Sequence, residues 1–389
     1  MKRLERIVPQ KIKQPRTVQS MSESLHIAYF ITAHGRGHAV RCAQVIQALA
    51  GVGARVTVIS DVPEAFLREQ GSAPFEQIAG AFDCGTIHRP GDHSVDAVLT
   101  LDAYRAVQAR NRREEGRWLR VLEALAPDVL LTDVAAFPLW LAHRMGVPGV
   151  ILSNFTWYDI YKPLLDGLAG GDEALAQLRL EYSHAARVLV PPMNLPMDWL
   201  ARQERVPLVA RKGRNRAAEI RARLGLGVDK RLVLFYAGPV MLPPAFWAQV
   251  ALNEDCAFLF YALPPGAPVL GNIHVLPSDC VHPADVVPSM DLVLAKAGYG
   301  IAGECMADGV PIVYAHRSDF LESSAISREL DAWGGAIALA PEVLLEGRAL
   351  RPYLEAGFAL ESGVRPVRSD GAEVCAGLLT EAWTGGCGR

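Results

Sequence analysis

No two of the seven cysteines in this 389-residue chain are spaced as C-x-x-C. Their odd number, scattered from Cys42 to Cys387, suits neither a disulfide framework nor a zinc site. Reduced, mostly buried thiols in a cytoplasmic protein are the expectation. An excess of one charge is also missing. The formal net charge is −3 and no element interleaves basic with aromatic residues, so nucleic acid is not an expected partner. There is no G-x-x-x-x-G-K-[ST] loop, no H-E-x-x-H, no G-x-S-x-G elbow and no D-x-D pair of the sort that holds a divalent metal under a diphosphate. Neither a metal nor a bound cofactor is expected. The long charge-free run from Leu232 to Asn253 is interrupted by Pro239, Pro243 and Pro244, which favours strand, loop and helix over a membrane span. The first twenty residues lack the apolar stretch of a signal peptide and carry Lys2, Arg3, Arg6, Lys11, Lys13 and Arg16 against Glu5. Residues 1–20 therefore read as a loose basic tail, solvated or in peripheral contact with anionic lipid at the inner face of a membrane. Met21 opens the ordered pattern.

Half of the chain is hydrophobic, and its length exceeds what one compact core usually holds, which favours two domains. From Met21 to about Met193 short apolar runs alternate with helical spacing. HIAYFITA, ARVTVIS, DVLLTD and VPGVILSN read as buried parallel strands, and the residues after each as returning helices. Proline then thickens at Pro191, Pro192, Pro196 and Pro207, and the basic run ARKGRNRAAEIRAR has linker character before it turns helical. A second cycle follows, with strands RLVLFYAG, CAFLFYAL, NIHVLP, MDLVLAKAG and VPIVYAH and helices GIAGECMADG and ESSAISRELDAWG. The fold class is α/β, with two doubly wound Rossmann-like domains facing each other across a cleft. Their expected spans are 21–205 and 206–365, with a helix in 366–389 packing back toward the first domain. Open α/β sheets bind ligands beyond the carboxyl ends of their strands, so function should lie in the loops that follow strands.

One such loop is AHGRGHAVR, after the first strand. Gly35 and Gly37 let the backbone turn tightly, and His38 falls at the first turn of the next helix. Val40 stands where a dinucleotide fingerprint has its third glycine, and no acid ends the second strand, so the motif is a poor match for NAD. Two histidines, His34 and His38, flanking a G-x-G at the ligand end of a sheet point instead to chemistry, with His34 to His38, including Arg36, around an acceptor hydroxyl. A histidine acting as general base needs an orienting carboxylate. Asp133, in PDVLLTDVAAF at the end of a strand of the same sheet, fits that role and equally that of a helix cap. Asn154 also faces the cleft, with Trp157 and Tyr158 as acceptor walls or as core. Trp140, Leu141 and Phe137 have a spacing that suits a helix packed on the sheet better than a lipid-facing patch.

The second informative loop is LAKAGYGIAGECMADG. A strand, a glycine turn at Gly298 and Gly300, and a helix through Tyr299 and Ile301 place free backbone amides and the positive end of a helix at one spot, which suits a diphosphate. Lys296 is a candidate counter-charge. Glu304 is placed to accept hydrogen bonds from ribose, or simply to match the helix dipole.

These residues resemble the GT-B glycosyltransferases. Within them the chain is most similar to the glycosyltransferase-like amino-terminal region of plant L-arabinokinases and its bacterial stand-alone relatives, on AHGRGHAVR, TDVAAF, SNFTWYDIY, AKAGYGIAGE, RSDFLES and LRPYLEAGF. More remotely it is similar to the lipid II-forming GlcNAc transferase and the UDP-glycosyltransferases. The resemblance implies that His38 is the base beside the acceptor and Asp133 its partner, that Gly298 to Ala302 bind the donor diphosphate, and that Glu304 binds ribose. It places Asp319 and Glu322 where the donor sugar is read, and Cys280 to Asp285, with His282, near the base-binding loop. Gly238, in YAGPVMLPP, falls at a second phosphate turn whose sequence differs from the Gly-Gly-Ser of the lipid II enzyme. Arg36 is not the residue usual between the glycines. No Pro-x-x-x-Gly-Leu-Ser-Ser run of the sugar-kinase domain occurs, so phosphorylation of arabinose is not expected.

The resulting expectation is an inverting, metal-independent transfer of a sugar from a UDP-sugar co-substrate to an acceptor hydroxyl of a small molecule, glycan or lipid-linked compound. An epimerase or hydrolase of sugar nucleotides, and a non-catalytic sugar-nucleotide-binding partner protein, remain as alternatives on the same architecture.

Overall fold

The computed structural model describes residues 24–89, 94–236, 241–276, 281–316, 320–361 and 363–385. The expected basic tail at 1–20, the membrane contact expected of it, and Met21 lie outside the described residues.

The first half runs β1 (His26–Phe30), α1 (Arg36–Gly51), β2 (Arg55–Ile59), α2 (Glu64–Glu69), β3 (Glu76–Ile78), α3 (Ala97–Leu125) and β4 (Val129–Thr132). It continues through α4 (Phe137–Met145), β5 (Gly149–Leu152), α5 (Trp157–Leu164), α6 (Gly171–Tyr182), β6 (Arg187–Val190) and β7 (Gln203–Arg205). The second half runs α7 (Ala217–Leu224), β8 (Arg231–Tyr236), α8 (Pro244–Leu252), β9 (Cys256–Phe260), β10 (Ile273–Val275), α9 (Pro283–Val286), β11 (Leu292–Lys296), α10 (Tyr299–Asp308) and β12 (Ile312–Ala315). It ends in α11 (Glu322–Trp333), β13 (Ala336–Leu339), α12 (Pro341–Leu345), α13 (Arg351–Leu360) and α14 (Gly371–Gly385).

Among the described residues the strands form a 7-stranded sheet of order β3-β2-β1-β4-β5-β6-β7 and a 6-stranded sheet of order β10-β9-β8-β11-β12-β13. Neighbouring strands are parallel throughout both sheets. Parallel sheets carry helices on both faces, which explains why β1, β4, β5 and β9 read as unbroken apolar runs and are buried along their whole length. In the first sheet the strand order reverses between β1 and β4, and in the second between β8 and β11. Each reversal opens a crevice beyond the carboxyl ends of the strands. His38 and Asp133 follow β1 and β4, and Gly298 follows β11, so all three stand at these crevices.

The two-sheet α/β architecture is the one the sequence led to. The elements it did not reveal are short or masked by composition: β3 has three residues and is partly exposed, and β6 runs directly into Pro191 and Pro192. The charge-free run resolves into β8 and α8, and no described helix is long and apolar enough to cross a membrane. In α4, Phe137 and Leu141 are fully buried and the Trp140 indole donates to Glu115 Oε1 at 3.1 Å, so this helix packs on the sheet.

The chain crosses between the halves twice. After the second sheet it returns as α14, whose Cys375, Ala376 and Leu379 join Leu25, Ile27, Val45 and Leu49 in one apolar cluster on the first. Leu379 is fully buried there. Leu379→Ala should therefore cost about 2–5 kcal/mol. Urea unfolding followed by circular dichroism should show a lower midpoint, and an unchanged midpoint would mean that α14 does not hold the first sheet in solution.

Candidate active site

Phe30 ends β1, and the chain leaves the sheet with Thr32 and turns at Gly35, whose φ of 95° is open to glycine and strained for other residues. This turn begins α1 at Arg36 without any side-chain N-cap, so His38 comes in the first turn of the helix. Beside β1, Asp133 leaves the end of β4 and its amide donates to Phe30 O at 3.2 Å. The Asp133 carboxylate is fully buried and both oxygens are engaged. Oδ1 accepts the Thr32 amide at 3.0 Å, and Oδ2 lies 2.8 Å from His38 Nδ1. A carboxylate offers no hydrogen, so the imidazole must carry its proton on Nδ1 and keep the lone pair on Nε2. That is the tautomer a general base requires. The His38 side chain is 15% exposed, with the edge of Phe155 against its ring at 5.7 Å.

The opposite wall comes from the second domain. Gly298 precedes α10 and supplies no side-chain cap, leaving the amino end of the helix for a ligand. The two glycine turns meet. A methyl group added at Gly300 would lie 3.6 Å from Gly37 Cα, and one added at Gly37 would lie 3.9 Å from Gly300 N. Backbone therefore faces backbone where the turn carrying His38 and the amino end of α10 come together. The Ile301 side chain is in the core, so only its backbone is available to the cleft.

Several other residues are placed differently from expectation. Asn154 is not an open acceptor contact: its Oδ1 accepts from Arg41 Nη1 at 2.7 Å, and its Nδ2 donates to Glu322 Oε1 at 2.7 Å and to Met193 O at 3.2 Å. Buried, with its oxygen and both amide hydrogens engaged, it is a strut between the domains. Glu322, the expected donor-sugar reader, holds the other end of that strut at the start of α11. Trp157 is buried, and its indole donates to Asp83 Oδ2 at 2.8 Å, which is the core position of the two expected for it. His34 remains accessible, with its side chain 40% exposed. The Arg36 guanidinium lies over Phe66 at 5.2 Å. His282 caps α9, its Nδ1 accepting the Ala284 amide at 3.2 Å. Lys296 ends β11, beside the α10 turn. Gly238 and Asp319 lie outside the described residues.

Glu304 departs most from a free ribose acid. It is buried in α10 and its Oε1 lies 2.7 Å from Nη2 of Arg211, whose Nη1 donates to Gln70 Oε1 at 2.7 Å. Arg211 thus joins the end of α2 in the first domain to α10 in the second. Burial pushes the Glu304 carboxyl up to about 7, against the pull of Arg211.

The sequence did not reveal Asp83. It follows the short β3, accepts the Thr32 hydroxyl at 2.9 Å and the Trp157 indole, and lies 3.6 Å from His34 Nε2. Burial pushes its carboxyl up, with His34 opposing that and the nearby Asp133 adding to it. Thr32 links the two carboxylates, through its amide to Asp133 and through its hydroxyl to Asp83. The signal available was an acid in a turn, FDCG, but without a readable strand before it nothing assigned it to the cleft.

No protein-family model matches the chain. It is 27% identical over 387 residues to L-arabinokinase of Arabidopsis thaliana, across 96% of this chain and 36% of that protein, so it spans about a third of that relative. Among solved structures it is similar to the glycotransferase of kitacinnamycin, with a TM-score of 0.65 and 19% identity, covering 92% of this chain and 99% of that one. It is also similar to a UDP-glucosyltransferase from Polygonum tinctorium capable of glucosylating indoxyl, with a TM-score of 0.62 and 14% identity, covering 94% and 99%. The chain has the GT-B fold.

The Glu304 environment has a measurable consequence for stability. With an ordinary value of 4.5 in the unfolded chain and about 7 in the fold, native Glu304 keeps a proton that the unfolded chain releases. Its contribution is complete below pH 4.5 and is lost as pH rises through about 7. The wild type should lose more stability than Glu304→Gln between pH 5 and pH 8 in urea titrations. Parallel pH profiles would show that Glu304 stays ionised against Arg211.

Proposed function

We propose that the protein is a glycosyltransferase that moves a sugar from a UDP-sugar to an acceptor hydroxyl with inversion of configuration and without a metal ion. The observation that carries this reading is the juxtaposition at the cleft. A histidine held in the base tautomer by a buried carboxylate starts a helix whose glycine turn touches the uncapped turn opening α10.

In the proposed reaction His38 Nε2 takes the proton of the acceptor hydroxyl as its oxygen attacks the anomeric carbon. The bond to the UDP oxygen breaks on the opposite face, which inverts the centre. The proton rests on His38 as an imidazolium stabilised by Asp133. The leaving diphosphate gathers negative charge at the amides of the α10 turn and at its helix dipole, which are oriented before the reaction begins. That stabilisation supports a metal-independent departure, as does the lack of a D-x-D pair in the sequence. The choice of UDP is supported by the family resemblance and by the UDP-glucosyltransferase among the structural neighbours. The donor ribose meets Glu304 as part of the Arg211 pair, so donor binding involves rearranging or sharing that contact.

The test has two parts. Thermal unfolding with UDP, GDP, dTDP and CDP should show stabilisation by UDP alone, by about 2.7 kcal/mol at a hundredfold excess over its dissociation constant. Consumption of radiolabelled UDP-sugars should then fall by about 10²–10⁴-fold in His38→Ala while UDP stabilisation persists. Unchanged turnover in that variant would remove the base assignment. Release of free sugar or of an epimer, with no acceptor requirement, would turn the reading into the hydrolase or epimerase on the same fold.

A further inference from the structure

Arg41 lies one turn beyond His38 on α1, buried, with three contacts that belong to three different parts of the site. Its Nη1 donates to Asn154 at 2.7 Å, its guanidinium lies 4.8 Å from the centre of the Tyr299 ring at the start of α10, and its Nη2 stands 3.4 Å from His38 Nδ1. Since the Nδ1 hydrogen points at Asp133, the last of these is an approach of charge to the ring rather than a donated hydrogen bond. A buried arginine without a carboxylate of its own is costly, so its position needs a reason.

We propose that Arg41 is a positioning residue that keeps His38 in its neutral form and locks it in register with the α10 turn. The proposal rests on the reading of His38 as the base. The charge argument is direct. With Asp133 ionised and Arg41 present, the buried group is neutral when His38 is neutral and carries one positive charge when His38 is protonated. Without Arg41 it would be negative when His38 is neutral, and protonation would discharge it, so Asp133 would draw a proton onto the ring.

Among the described residues, the other titratable groups near the ring are acids, a phenol, a thiol and the His34 imidazole, with the Arg36 guanidinium lying over Phe66. Asp83 stands behind Thr32, with its carboxyl raised by burial. Tyr29 and Cys42, on β1 and α1, are pushed well up by burial and remain uncharged. Across the cleft, burial likewise raises Tyr299, to about 12, and Glu322 is reached through Asn154. His34 sits on the far side of the turn, by Asp83. The geometric part follows from the same side chain. Arg41 grips Asn154, Asn154 grips Glu322, and the guanidinium rests on Tyr299, so the helix carrying the base is tied to the amino ends of both α10 and α11.

The experiment is a pH titration of the His38 Cε1 resonance in ¹³C-histidine-labelled full-length protein, assigned by its loss in His38→Ala. In Arg41→Met the proton affinity of His38 should rise about tenfold or more, and the acid limb of turnover should move to higher pH with it. In Arg41→Lys the charge stays but the reach to Asn154 and the guanidinium contact with the Tyr299 ring are lost. Its His38 titration should stay near that of the wild type while kcat falls about a hundredfold and UDP stabilisation persists. A folded Arg41→Met with an unmoved His38 titration overturns the charge role. Wild-type kcat in Arg41→Lys overturns the positioning role, and the polar, uncharged Arg41→Gln is titrated in place of Arg41→Met if that variant does not fold. If His38→Ala retains full turnover the base reading fails by itself, while the titration still reads the coupling between the two side chains.

Discussion

The site is organised around one buried carboxylate with both oxygens engaged. Asp133 spends Oδ1 on the amide of Thr32, where the chain leaves β1, and so directs Oδ2 at the imidazole that the same chain presents a turn later. The carboxylate therefore shapes the loop and orients the ring in one arrangement. A buried charge with a missing partner is costly, so the loop conformation and the tautomer of His38 are selected together. The parallel order of β1 and β4 makes this inevitable, because the two residues leave neighbouring strands at the same edge of the sheet.

The seam between the domains is built from the same kind of economy. Two buried arginines span it: Arg41 bonds to Asn154 in the first half and lies over Tyr299 in the second, and Arg211, from the connection after β7, bonds to Gln70 in the first and pairs with Glu304 in the second. Such contacts are directional and lose most of their value when only one partner remains. The relative placement of His38 and of the α10 turn thus draws on polar geometry, beside apolar contacts such as the edge of Phe155 against Phe320 at 6.0 Å.

The fold was legible because parallel strands buried on both faces leave unbroken apolar runs, and because glycines mark the loops at their carboxyl ends. His38 and Asp133 were legible for the same reason: each follows a readable strand. Asp83 was not, since β3 is too short and too exposed to announce the loop after it. Arg211 sits in a basic run with the composition of a solvated linker, and only its tertiary contacts with Gln70 and Glu304 bury it. Asn154 from its strand and Glu322 from the family resemblance could be placed at the cleft, but not bonded to each other at a separation of 168 positions. Local pattern records which face a residue takes; it carries no record of which distant side chain will saturate it.

The approach of Gly37 and Gly300 bears on how such chains recombine. A methyl group at either position already touches the opposite turn, and a bulky side chain there has backbone to push against instead of a side chain that could yield. The two glycines act as a single composite position divided between domains. Chimaeras that join the first domain of one relative to the second of another therefore inherit a compatibility condition set by main chain alone. Small residues at both turns are thus one condition on closing to the same separation, beside the polar contacts of Arg41, Arg211 and Asn154 across the seam.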